Sequence, residues 1–172
     1  MAAAAITLRL AGPHDVRMLA IMSRDLIEAG LGWHYQPGRI MRLVKDPDTI
    51  AVVASDRGRT AGFAIMDFGD ERAHLVLLAV QPQHQRQGVG RSIMEWLVES
   101  AETAGIASLH LELRASNQGA RAFYRALGFV ETLYVPGYYG QREPAVRMLR
   151  VLRIAGATGA AWRPPTLGRP AT

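Results

Sequence analysis

LVLLAVQPQHQRQGVGRSIMEWL, residues 75–97, changes its hydrophobic period halfway along, and that change decides how the rest of the chain is read. Residues 75–80 form an apolar run without polar alternation, the pattern of a strand buried on both faces, and Pro82 stops it. From Val89 onward the period becomes helical: Val89, Ile93 and Leu97 share one stripe with Met94 and Ala101 beside it, while Glu95, Glu99 and Glu102 point away. The loop between them holds Gly88 and Gly90, flanked by Gln85, Arg86 and Arg91. A helix start carries free amide N–H groups and the positive end of the peptide dipole, so glycines placed there let a phosphate approach bare backbone. A Walker loop is excluded because Arg91-Ser92 follows Gly90, and a dinucleotide loop because Ile93 stands where a third glycine is needed. Two readings stay open: a pyrophosphate site of another kind, or an ordinary strand-to-helix turn.

At 172 residues and 49% hydrophobic content the chain suffices for one domain with a real core. Cysteine is absent, which excludes a disulfide framework and a thiolate nucleophile and fits a reducing compartment. The five histidines show no paired ligand spacing, so no metal is expected. The start, MAAAAITLRLAG, has no basic leader before its short apolar run; neither a signal peptide nor a membrane span is expected, and the reading is a soluble cytoplasmic protein. A net charge of +5 and a pI near 10.2 invite a nucleic-acid reading. Its distribution argues otherwise: of 20 basic residues only Lys45 is a lysine, and the arginines are scattered, without a basic run or an aromatic stacking motif.

Working outward, residues 6–10 alternate as a short strand, and a helical stripe follows over 13–29 until Gly30 and Gly32 break it. The loop over 31–38 holds Trp33, His34 and Tyr35, rings that either pack onto the core or form a lip facing a substrate. A helix over 39–45, strands over 50–54 and 60–68 and the central strand beginning near Ala73 come next, joined by short links that imply antiparallel neighbours. After the Val89 helix and Gly105, a strand over 108–114 is predicted parallel to the central one, because a helix separates them. Leu109, Leu111 and Leu113 share one of its faces, leaving His110, Glu112 and Arg114 on the other, which is either solvated or lines a cleft. Ser116-Asn117 can cap a helix ended by Gly128; strands over 129–135 and 145–152 enclose a loop over 136–140. Residues 154–172 have small residues and prolines but no period, and read as a disordered tail with Trp162 as its only anchor.

The spacing Gln85-x-x-Gly88-x-Gly90 between a strand and a helix resembles the acyl-CoA pyrophosphate loop of the GNAT superfamily of N-acetyltransferases. LHLELRASNQGARAFYRALGF, residues 109–129, is the more specific match. Its wording is similar to that of the RimI-type protein N-terminal acetyltransferases, in which Leu-Glu-Val-Arg-Ala-Ser-Asn precedes an Ala-Leu-Tyr helix. The resemblance covers about residues 6–152, and Glu112, Asn117 and Tyr124 stand at matching positions.

It implies one α/β domain over residues 1–153, with a mixed, mostly antiparallel sheet split at a central parallel strand pair and flanked by about four helices. It implies acetyl-CoA between the parted strands, with Leu78, Ala79 and Val80 offering backbone hydrogen bonds to the pantetheine arm. Arg86, Gln87, Gly88, Val89, Gly90 and Arg91 would hold the pyrophosphate, and Asn117 would touch the arm further down. Glu112 would take the proton of the attacking ammonium, directly or through a water; a backbone N–H near Val80 would stabilise the carbonyl oxygen; Tyr124 would protonate the departing thiolate. His110, on the same face as Glu112, is an alternative base.

The chain departs from the RimI pattern in having Pro136-Gly137-Tyr138-Tyr139 where that type has Arg-Asn-Tyr-Tyr, and Glu143-Pro144-Ala145 where it has Glu-Asp-Ala. These departures bear on the acceptor. Tyr138 and Tyr139, with Trp33 and Tyr35, are the candidate acceptor-binding residues. The expected activity is acetyl transfer to a primary amine, with a protein N-terminus leading; a small-amine acetyltransferase and a noncatalytic acyl-CoA-sensing module are the alternatives.

Overall fold

A computed structural model describes residues 5–153; the expected tail over 154–172 and its Trp162 lie outside the described residues. Strands β1 (Ile6–Leu10), β2 (Thr49–Asp56), β3 (Arg59–Phe68), β4 (Arg72–Val80), β5 (Ser108–Arg114), β6 (Val130–Tyr139) and β7 (Glu143–Val151) form one seven-stranded sheet in the order β1-β2-β3-β4-β5-β7-β6. Helices α1 (Val16–Met22) and α2 (Pro37–Lys45) lie on one side of it, α3 (Val89–Thr103) and α4 (Gln118–Ala126) on the other. Every strand pairing is antiparallel except β4 with β5. No helix among the described residues is long and apolar enough to cross a membrane.

The β4–β5 pairing is short. It joins Arg72 to Ser108, Ala73 to Leu109 and His74 to His110, and then the two strands part, while β4 stays paired with β3 as far as Val80. β4 also carries an extra residue: Met66 of β3 faces Leu75 and Ile65 faces Leu77, so Val76 bulges. Ala73 and Leu75 therefore belong to the core under α3, whereas Leu77 and Ala79 belong to the core under α1 and α2.

Close approach of α3 to β3 depends on Gly62. A Cβ there would lie 3.0 Å from the Ala79 carbonyl oxygen and 3.3 Å from both Val89 Cγ1 and Ile93 Cδ1. The carbonyl is backbone of β4, paired there with β3, and cannot move aside as cheaply as the end of a side chain. Gly62→Ala should lower the unfolding free energy by ~1–3 kcal/mol in urea titrations; a midpoint equal to that of the parent would remove this account.

Two expected boundaries change. The helix predicted over 13–29 is a 3-10 turn (Pro13–Asp15), then α1, then a π turn (Ser23–Ile27), the widened last turn being closed by the Glu28 N–H bonding to Ser23 O at 2.8 Å. The predicted loop over 136–140 belongs instead mostly to β6, which continues to Tyr139 across a register shift and turns only beyond it. β6 is the sheet's edge, and an edge strand tolerates Pro136 because no neighbour needs its missing N–H.

Candidate active site

Where β4 and β5 part, the structure opens a cleft of about 520 Å³. Its walls are Leu78 and neighbouring β4 residues, Glu112 and Arg114 of β5, Asn117, Ala120 and Tyr124 at α4, the π turn, Tyr35 and Arg39, and Tyr138 and Tyr139 from the end of β6. The polar face of β5 thus divides: Glu112 and Arg114 line the cleft, whereas His110 lies outside its lining and contacts Ser108 Oγ at 2.9 Å. Burial, then the positive charges of Arg72 and His74, hold His110 below the usual imidazole pKa.

Glu112 does not stand alone. His74 Nε2 lies 2.6 Å from its Oε2, and Arg147 Nε donates to its Oε1 at 3.2 Å. His74 arrives from β4 through the short parallel pairing, and Arg147 directly faces Glu112 across β5 and β7. The hydrogen bond to His74 holds the Glu112 carboxyl below its ordinary pKa, with Arg147 adding to the effect and burial opposing it. The same bond raises His74, again against burial. Neither partner was found from the sequence. His74 sits just before the apolar run, and only the register of the parallel pair reveals that it meets Glu112.

These opposite shifts fix a pH window. The lowered Glu112 contributes stability above its unfolded pKa near 4.5, lost as pH falls through the folded value; the raised His74 contributes below its unfolded 6.5, lost as pH rises through the folded value. The coupling in a His74→Gln/Glu112→Gln double-mutant cycle should therefore peak between about pH 4.5 and 6.5. A coupling that is flat with pH would show that the pair is held by packing.

Tyr124 is 7% exposed, wedged between Phe123 and Phe129 with ring centroids 5.1 and 5.6 Å away. Desolvation drives its phenol well above the ordinary tyrosine pKa, so it stays protonated as it faces the cleft. Asn117 caps α4 by accepting the Ala120 N–H at 3.0 Å through its side-chain oxygen, and the residue lines the cleft.

The loop over 85–91 begins where β4 ends. Arg86 and Gly88 both adopt left-handed backbone, φ 59° and 82°, which turns the chain so that α3 starts immediately after. The first backbone bond closing that turn is Ser92 N–H to Gly88 O at 2.9 Å, and the amides before it are the unsatisfied donors of a helix start. Nothing lies within 4 Å of the space that a Cβ on Gly88 would take, whereas one on Gly90 would meet Phe123 at 3.2 Å. Gly90 thus lets α3 touch α4 beside Tyr124, and Gly88 leaves open room over the amides. Gln85 Nε2 donates to Val80 O at 3.0 Å and Gln87 Nε2 to Gln83 O at 2.9 Å, bracing the loop. Val80 is left with its N–H, and Arg91 lies 3.6 Å from Glu95. These donors suit a diphosphate, and the edge of β4 turned toward β5 beyond His74 suits an amide-bearing arm.

On the opposite wall the aromatic loop divides. Trp33 points inward, its Nε1 donating to Ala20 O at 3.1 Å and Tyr35 O at 3.2 Å, and it packs on the core under α1 and α2. Tyr35 lines the cleft together with Tyr138 and Tyr139, whose rings meet edge to face at 4.8 Å. The loop is pinned by Glu28, a buried carboxylate that accepts from the His34 N–H at 2.7 Å, the Tyr35 N–H at 3.2 Å and Ser23 Oγ at 3.0 Å. Arg114 ties β5 to the same corner through the carbonyls of Ile27, 3.1 Å, and Ala29, 2.5 Å.

With this geometry in view, the chain can be set beside known proteins. A [Ribosomal protein bS18]-alanine N-acetyltransferase of Escherichia coli (strain K12) is 42% identical over 97 residues, which cover 55% of this chain and 66% of that protein, just under two thirds of its length. The crystal structure of the ribosomal-protein-S18-alanine N-acetyltransferase from Escherichia coli superposes with a TM-score of 0.77 at 30% identity, covering 89% of this chain and 97% of that one. Arabidopsis thaliana NAA60 in complex with acetyl-CoA shares the fold, with a TM-score of 0.76 at 17% identity over 86% of this chain and 98% of that one. Residues 18–129 match the model of the Acetyltransferase (GNAT) family, and the parted strand pair, the glycine loop and the capped tyrosine helix all fall within that span: the chain belongs to the GNAT family.

Proposed function

We propose that the chain is an acetyl-CoA-dependent N-acetyltransferase acting in the cytoplasm, and that its acceptor is the α-amine of a protein N-terminus. The observation that carries this reading is the parting of β4 from β5 beyond His74, with Glu112 and Tyr124 lining the resulting cleft. The identity to a bacterial ribosomal-protein alanine N-acetyltransferase supports the choice of acceptor.

When bound, acetyl-CoA supplies an activated acetyl thioester. The amides over 86–91, with Arg86 and Arg91, bind its diphosphate; the free edge of β4 at Leu78, Ala79 and Val80 and the amide of Asn117 orient its arm. The Glu112–His74 pair takes the proton that the acceptor's ammonium must lose, His74 sharing it so that the pair titrates as a unit. Tyr124, held in its neutral form, would give a proton to the thiolate that leaves, and the second proton that the acceptor nitrogen sheds as the amide forms would return to the phenol, so that one proton in all goes to the pair. Tyr35, Tyr138 and Tyr139 wall the acceptor end.

An acceptor screen with acetyl-CoA tests this. Peptides with a free α-amine should be acetylated, and the same peptides with a blocked N-terminus should not, even when they contain lysine. Turnover of free polyamines or amino acids alone would move the enzyme to small-molecule chemistry, and saturable acetyl-CoA binding without any turnover would leave a sensing module.

A further inference from the structure

Four basic side chains line the cleft: His34, Arg39, His74 and Arg114. Three of them have carboxylates. His34 Nδ1 is 3.2 Å from Glu28, His74 is 2.6 Å from Glu112, and Arg114 is 3.5 Å from Glu143. Arg39 has none within ion-pair distance among the described residues. Its guanidinium lies over the Tyr35 ring, Cζ 4.1 Å from the centroid. Stacking uses the flat face of a guanidinium and leaves its N–H donors, which lie in the plane, directed outward in a fork that matches a carboxylate.

The anionic side of the cleft is already engaged. Glu28 accepts from Ser23, His34 and Tyr35, and Glu112 is shared by His74 and Arg147. A cation on the acceptor beyond the reacting amine would find no open carboxylate in the lining, whereas an anion would find Arg39. Arg39 and Tyr35 line the cleft together with Tyr138 and Tyr139, the residues assigned to its acceptor end, and no residue of the loop over 85–91 is part of that lining.

We propose that the acceptor carries a carboxylate close behind the acetylated amine, an aspartate or glutamate side chain within the first few residues of a protein N-terminus, and that Arg39, stacked on Tyr35, receives it. This rests on the protein N-terminal reading above and narrows it to acidic N-termini.

The test compares peptide pairs that share a free α-amine and differ only as Asp against Asn, or Glu against Gln, at positions two to four. Wild-type kcat/KM should favour the acidic member by about tenfold or more at its best position, mainly through KM, as expected for a charge-assisted hydrogen bond. Arg39→Gln should bring the two members together, and Arg39→Glu should favour a lysine-containing peptide instead. Each comparison is a ratio within one enzyme, so partial misfolding of a variant does not imitate the result. Equal KM values for both members in the wild type, or a preference that survives Arg39→Gln, would overturn the assignment while leaving N-terminal acetylation intact. Turnover of free aspartate or glutamate without any peptide turnover would overturn it in favour of an α-carboxylate on a small acceptor. Failure of every α-amine acceptor would defeat the parent reading, and this one with it.

Discussion

Glu112→Gln should lower kcat/KM by ~10²- to 10⁴-fold near neutral pH, the span that a positioned acid–base group contributes. The amide keeps the shape of the carboxylate and still accepts a hydrogen bond, so the substitution tests proton transfer with little change in packing. It also releases His74 from the bond that raises its pKa, and the imidazole should fall back toward its ordinary value. His74→Gln should do less to the rate and more to its pH dependence. In the wild type the acid limb follows the shared proton of the pair, above the ordinary imidazole range; without His74 only Glu112 remains, still held low by Arg147, and the limb should move to more acidic pH. Acetyl-CoA affinity measured by calorimetry should survive both changes. Turnover of Glu112→Gln within a factor of about three of the parent would refute the role given to the pair.

Phe129→Ala should be the most damaging of the core truncations that also touch the site, costing ~3–5 kcal/mol. Phe129 is 2% exposed and joins the cluster that α3, α4 and β5 close, with Tyr124 stacked edge to face above it. Its own N–H bonds back to Tyr124 O at 3.0 Å just after Gly128 ends α4 in the left-handed region, so the same residue stops the helix and floors its tyrosine. A loss of this size is a large part of the ~5–15 kcal/mol that holds a domain together. Thermal unfolding should drop by ~10 °C, at about 2–4 °C per kcal/mol for a chain of this size. Turnover should fall even at temperatures where the variant is folded, because the phenol loses its support. Phe129→Leu, which keeps most of the volume, should recover much of both; a destabilisation under about 1 kcal/mol would show that the cluster repacks without it.

The central strand, the α3 helix, the parallel pairing and the capped α4 helix were legible because each rests on local pattern: an apolar run, a 3.6-residue stripe, a crossover helix, an asparagine before a helix. Glu112 and Tyr124 were singled out through the motif that contains them, and the structure puts both in the lining of one cleft. What escaped was set by register between distant strands. His74 reaches Glu112 only because the parallel pair matches His74 with His110, and Arg147 reaches it only because β7 returns antiparallel to β5. The extent of β6 was hidden for another reason: Pro136 and Gly137 read as a turn, and only an edge position lets them remain in a strand. Trp33 and Tyr35 looked alike in sequence, and both pack against the core under α1 and α2, yet only Tyr35 also lines the cleft.

The extra residue at Val76 lets a single strand obey two alternations, one before it and one after it. Upstream, that phase turns His74 toward the chemistry; downstream, it seats Leu77 and Ala79 beneath the first two helices. Deleting Val76 would join the two into one regular alternation, because the bulge is what keeps His74, Leu77 and Ala79 on the same face; each would hold its side and only the bulge would be lost. A designer who shortens this strand by that one bulged position keeps the active-site partner where it is, whereas shortening by two, the bulge and one regular neighbour, turns the imidazole to the opposite face without touching it.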